Sequence, residues 1–178
     1  GVLKSNYAHL AKVVSARTNR MEMEREVIAD KAIWVAKKRY ILNVHNNEGV
    51  QYDEPKLKIM GIEAIKSSTP EVCRVKFKEI FEVIMRGSEK ETQSFIAKFK
   101  AEHKHLTVED VSFPRGVSDV SKWFNHVTVY NNLPKELDLQ PFIDYNKMFA
   151  KTFGDPLDNI LTAIGWTSEP VSNLDAFM

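Results

Sequence analysis

From Met21 to Val27 (Met-Glu-Met-Glu-Arg-Glu-Val) every second residue is a glutamate and, Arg25 apart, the residues between are apolar, the period of a strand with one covered and one wetted face. Upstream, Leu10, Val13 and Val14 share one side of a helix predicted over Tyr7 to Ala16. Ala32 to Val44 reads as one long strand. Asn46-Asn47-Glu48-Gly49 then supplies residues tolerant of positive φ, as a hairpin turn requires. Val50 to Tyr52 and Lys56 to Gly61 extend the sheet. Pro55 between them has no N–H for a ladder, so an edge or a bulge is expected there.

At Ser67-Ser68-Thr69-Pro70-Glu71 the period changes. Thr69 as N-cap with Pro70 in the first turn, or Ser68 with Glu71 as a capping box, starts a helix. Cys73, Phe77, Ile80, Phe81 and Ile84 recur at helical spacing, and Gly87 closes the run. Ser88-Glu89-Lys90-Glu91 is a second capping box, opening a helix that turns Phe95, Ile96 and Phe99 inward. Leu106 to Gly116 reads as irregular, and Ser118 or Asp119 caps a short helix through Trp123 and Phe124. Asp155-Pro156 starts a last helix carrying Leu157, Ile160, Leu161 and Ile164, with Gly165 at its end. Strands up to about residue 66 and helices beyond give an α+β fold, a small antiparallel sheet followed by a helical sub-domain.

Composition adds one contrast. The 178 residues carry a formal net charge of only +1, which excludes a uniformly polybasic nucleic-acid binder. From Lys31 to Lys78, however, ten basic residues face five acids, a local excess of the kind that faces phosphate or simply meets water. Cys73 is the single cysteine, so no internal disulfide forms and a reducing compartment is expected. The chain shows neither a membrane-length apolar run nor a signal-peptide pattern at its start, and it reads as a soluble intracellular protein without a membrane partner.

Two places concentrate the candidate chemistry. In Trp34-Val35-Ala36-Lys37-Lys38-Arg39-Tyr40, three consecutive cations interrupt a buried strand pattern. Strand alternation would put Lys37 and Arg39 on one face and Lys38 and Tyr40 on the other. Lysine and arginine are rarely buried unpaired, so such a strand calls for an anionic surface or open water. The second place is the helix start, where Ser67, Ser68 and Thr69 stand beside unpaired backbone N–H groups that favour an anion. Lys66 precedes them and Arg74 lies one turn inside. Simple capping is the plainer role for these hydroxyls, and it is compatible with phosphate contact. Trp34, Trp123 and Trp166 read as core anchors, and His103 and His105 as solvated residues at a helix end, without partners for a metal site.

The run Arg25-Glu26-Val27-Ile28-Ala29-Asp30-Lys31, the basic segment Trp34 to Tyr40, the segment Glu54-Pro55-Lys56-Leu57-Lys58-Ile59-Met60-Gly61-Ile62-Glu63 and the run Ser67-Ser68-Thr69-Pro70 occur in that order. Together they resemble family B replicative DNA polymerases of T-even-like tailed phages, including cyanophage relatives. The likeness is dense from Met21 to Pro70 and continues through Leu133-Pro134-Lys135-Glu136-Leu137-Asp138 and Ile164-Gly165-Trp166. It implies that residues 1–66 are the C-terminal part of a palm, 67–170 a helical thumb and 171–178 a tail.

The resemblance also implies roles. The Lys-x-Tyr element, Lys38 and Tyr40, would contact primer–template duplex near the primer end, a lysine reaching minor-groove acceptors shared by all base pairs. Lys37 and Arg39 would serve phosphates or acidic palm neighbours, with Lys56 and Lys58 on the same basic surface. Lys66, Ser67, Ser68, Thr69 and Arg74 would meet primer-strand phosphates. The tail residues Leu174, Phe177 and Met178 would dock on a sliding clamp, the alternative being that such docking is the main task. The expected partners are thus double-stranded primer–template DNA, the clamp and the rest of the polymerase, in the cytoplasm of the bacterial host. The catalytic Asp-Thr-Asp of the family does not occur in this sequence. This piece alone is therefore expected to be inactive and to need no cofactor, Mg2+ belonging to the complete nucleotidyltransferase. Relatives also carry a further segment between the equivalents of Tyr130 and Asn131, so an internal deletion is expected near 130–132.

Overall fold

The structure, a computed structural model, describes Val13, residues 27–112, Glu136, Asp138 and residues 140–170. Val13 is helical, as expected. The remainder of the Tyr7–Ala16 helix, residues 21–26 of the alternating strand, the helix capped at Ser118 or Asp119 and the bridge at 130–132 lie outside the described residues.

Three strands form an antiparallel meander in the order β1 (Val27–Ala36), β2 (Arg39–Asn47), β3 (Val50–Met60). The single basic strand expected over Ala32 to Val44 is corrected here. It is two strands, because Lys37 and Lys38 form the connecting turn and Ala36 pairs with Arg39 across it. As the middle strand, β2 is covered on both faces, with Ile41 and Asn43 buried on one and Leu42 and Val44 on the other. The expected turn after Asn47 is present, with Glu48 and Gly49 both at positive φ and the Gly49 N–H donating to the Asn46 side chain. Pro55 lies on the edge strand β3. The ladder steps there from Val44–Lys56 to Asn46–Gln51, so the proline sits where no regular ladder bond is needed.

The inner sheet face, with Ile33 and Ile41 buried and Val35, Leu57 and Ile59 against them, packs on α1 (Glu71–Arg86). α1 buries Cys73, Phe77, Ile80, Phe81, Ile84 and Met85, the helical stripe read from the sequence; each large side chain contributes ~1.5–3 kcal/mol. α2 (Glu89–His103) adds Ile96 and Phe99 behind the Ser88–Glu91 capping box, which is formed as predicted. One buried cluster runs without a break from Ile33 to Leu161. Lys31 Nζ donates to the Met85 carbonyl, tying β1 to the last turn of α1.

The later helices depart from expectation in instructive ways. A short α3 (Val108–Val111) interrupts the stretch read as irregular, started by a Thr107–Asp110 capping box. The last helix does begin at Asp155-Pro156, as expected, but it continues helical backbone that starts further upstream. Helical backbone enters at Tyr145, where Asp144 caps α4 (Tyr145–Phe149). It passes through a π turn (Ala150–Gly154) into α5 (Asp155–Thr162). The wider π turn accommodates Pro156, which has no N–H to give the preceding turn. Phe149 and Phe153 flank Phe99 in this region, with the Phe99–Phe153 ring centroids 4.8 Å apart.

Candidate nucleic-acid interface

The two-residue turn between β1 and β2 places Lys37 and Lys38 at the tip of a hairpin, both exposed. The expected division of these cations between two strand faces is corrected accordingly, since turn residues do not alternate. Lys38 has φ +62°, a left-handed conformation that costs a residue with a Cβ ~1–2 kcal/mol. Glycine would adopt it freely, yet the position carries a cation.

Arg39 begins β2 and points back beneath the turn. Its Nη2 donates to both oxygens of Glu63, at 3.2 and 2.9 Å. Lys66 Nζ donates to the same carboxylate at 2.8 Å. Burial by itself would raise the Glu63 carboxyl. The hydrogen bond from Lys66 and the charges of Arg39 and Lys66 outweigh it and hold Glu63 below the ordinary carboxylate value. Glu63 stands in a 3-10 turn (Glu63–Ile65) between buried Ile62 and Ala64, so its backbone is anchored in the core. Two residues before it, Gly61 at φ +64° lets the chain pass against the Lys38 main chain. The hairpin turn and the approach to α1 are thereby fastened together.

Ser67 and Ser68 beyond Lys66 are exposed, whereas Thr69 is buried. The Thr69 N–H closes a turn onto the Lys66 carbonyl at 3.1 Å. Neither predicted cap is used: Pro70 is the N-cap residue, and no side chain bonds the first N–H groups of α1. The reason is local, because Lys66 to Pro70 form a turn that draws Thr69 inward. The helix entrance therefore keeps unpaired donors beside two exposed hydroxyl-bearing residues. Arg74 is half-buried one turn inside, and its Nε has no hydrogen-bond partner.

Tyr40 faces the other side of the sheet. Trp34, Tyr40 and Met60 are in register across the three strands, and the Trp34 and Tyr40 rings lie 4.9 Å apart. Lys58 and Lys56 precede Met60 at alternate positions and so share this face. Lys58 Nζ donates to Asn47 at 3.0 Å, and Lys56 Nζ lies over the Tyr52 ring at 4.6 Å. Trp34 is 63% exposed. It is not the core anchor expected, because it sits on the outer sheet face; Trp166 does pack against the core.

The candidates thus fall into three groups. Lys37, Lys38, Arg39 and Lys66 to Thr69 meet at one end of the sheet, Tyr40, Lys56 and Lys58 run along its outer face, and Arg74 is half-buried on α1. Leu174, Phe177 and Met178 lie outside the described residues. Glu63 was missed by sequence reasoning, although the glycine two positions before it was a signal that the chain turns tightly there. His103 corrects another expectation: it is fully buried among Phe99, Tyr145 and Phe149, with no hydrogen bond to either ring nitrogen.

Among the described residues no group of three or more His, Cys, Asp or Glu side chains is placed to hold a metal. No helix among them is long and apolar enough to cross a membrane.

Comparison with known proteins finds similarity to phage DNA polymerases. No family model matches the chain. A DNA-directed DNA polymerase of Enterobacteria phage T4 is 28% identical, aligned over 91% of this chain and 20% of its own length. A DNA-directed DNA polymerase of Escherichia phage RB69 is 37% identical over 91 residues, 47% of this chain and 10% of its own. The chain spans about a fifth of the length of the longer-matching relative. The chain is thus similar to one portion of the DNA polymerases of phages T4 and RB69.

Proposed function

We propose that this chain is the C-terminal palm-and-thumb part of a family B phage DNA polymerase, working in the host cytoplasm, and that it holds primer–template duplex without reading its sequence. On this reading residues 1–66 belong to the palm and 67–170 to the thumb. Lys38 and Tyr40 approach the minor groove near the primer end, while Lys37, Lys66, Ser67 and Ser68 meet phosphates. Lys56 and Lys58 lend positive potential to the sheet face.

One observation supports it above the others. The exposed lysine turn and the hydroxyl-bearing helix entrance stand side by side, joined through Glu63 and Gly61. Phosphate contacts of this kind position a duplex without specifying its sequence. Arg39 takes a supporting part, since its guanidinium is engaged by Glu63.

A salt titration of duplex binding tests the reading. The double variant Lys37→Ala/Lys38→Ala is expected to bind more weakly, with the slope of log K against log salt reduced by roughly 1–2 because fewer counterions are released. Parent and variant with the same affinity and slope would overturn it.

A further inference from the structure

A single carboxylate that sequence reasoning passed over lies between the two cationic elements. Glu63 receives Arg39 from the strand after the hairpin turn and Lys66 from the segment before α1. Its side chain is only 19% exposed, against 33% for Arg39 and 46% for Lys66. Exposure increases from the carboxylate toward Lys66, so Glu63 is the inner member of the triad and Lys66 the outer one. The Glu63 backbone cannot drift, because Ile62 and Ala64 on either side are 0% and 1% exposed. Without the carboxylate, two cations would face each other at the same half-buried spot, and like charges there repel.

We propose that Glu63 is the positioning residue of the interface: it aims Lys66 and holds the helix entrance at a set distance from the lysine turn. This rests on the duplex-gripping reading above. The proposal makes an unusual demand. Glu63→Gln adds one positive unit to the protein, and general electrostatics would make a polyanion bind more tightly. Positioning requires the reverse.

The test uses the full chain, a fluorescent DNA duplex and fixed salt. Glu63→Gln is expected to bind about three- to tenfold more weakly than the parent, the scale of one or two lost charge-assisted hydrogen bonds. Lys66→Ala is expected to weaken the parent several-fold but to change the Glu63→Gln variant little, because an unaimed lysine has little left to lose. Should Glu63→Gln fail to fold by thermal melt, Glu63→Asp supplies the comparison: it keeps the charge but withdraws the carboxylate from Lys66, so positioning requires weaker binding and net charge alone requires no change. Equal or tighter binding by Glu63→Gln overturns the proposal, as does an effect of Lys66→Ala that is the same in both backgrounds. A parent that binds no duplex overturns the duplex reading itself and this proposal with it. A parent that binds while Glu63→Gln is unaffected overturns this one alone.

Discussion

The main-chain carbonyl of Lys38 occupies the space into which a Cβ on Gly61 would project, with the Arg39 side chain 3.2 Å from the same point. Gly61 also sits at φ +64°. The residue is excluded from carrying a side chain twice over, by space and by backbone conformation. The contact brings the end of β3 against the hairpin turn and leaves Glu63 facing Arg39.

Gly61→Ala is therefore expected to destabilise the fold by about 2–4 kcal/mol, since an oxygen of the main chain cannot swing aside as a side-chain end would. The lysine turn should be displaced in the same variant. Chemical denaturation with a duplex-binding assay on the folded fraction checks both; Gly49→Ala, where an added Cβ meets nothing within 4 Å, is the control for positive φ alone.

Lys38 carries a backbone strain that glycine would relieve. Relief of ~1–2 kcal/mol is offset by ~0.5–1 kcal/mol of extra unfolded-chain entropy. Lys38→Gly should thus leave thermal stability unchanged or slightly raised while weakening duplex binding several-fold. A melt and a binding isotherm on the same preparation are sufficient. Unchanged affinity would mean that the lysine is tolerated at the turn rather than used there.

Acid should destabilise the protein in two steps. Burial lowers the His103 pKa from an ordinary 6.5, so the unfolded chain takes up a proton that the folded one refuses. Where the unfolded state binds more protons, stability rises with pH. The His103 contribution is present above 6.5 and declines as pH falls below it toward the lowered folded value. Glu63, also lowered in the fold from an ordinary 4.5, loses its contribution only as pH falls below that. His103→Leu should flatten the first step and leave the second, as urea midpoints measured from pH 7.5 to about 2.5 would reveal. It also removes a buried ring with two unpartnered nitrogens, so stability at neutral pH should hold or rise.

The Ser88–Glu91 box starts α2 with bonds in both directions: the Ser88 N–H donates to Glu91 at 2.7 Å and the Glu91 N–H to the Ser88 hydroxyl at 3.4 Å. Ser88→Ala should cost ~1 kcal/mol and leave duplex binding unchanged, since α2 lies away from the lysine turn. A lowered urea midpoint with an unaltered isotherm is the expected pair of results.

Much of this molecule is written in local sequence. The α1 stripe from Cys73 to Ile84, the Ser88 box and the Asn46–Gly49 turn depend on residues within a few positions of one another, where periodicity and turn chemistry act directly. The order of the motifs from Arg25 to Pro70 also carried the resemblance to T4-like phage polymerases. Other features were decided by residues distant in the chain. Lys37-Lys38 became a turn because β1 and β2 pair there, and no local signal such as a glycine marked it. Thr69 was drawn into the core instead of capping α1, and His103 was enclosed by rings arriving from residues 145 and 149. The meeting of Arg39, Glu63 and Lys66 depends on β3 returning alongside β2. Charge pattern states which side chains need partners, but only the closed backbone brings Glu63 to Arg39, because an ion pair needs proximity and sequence distance does not measure it.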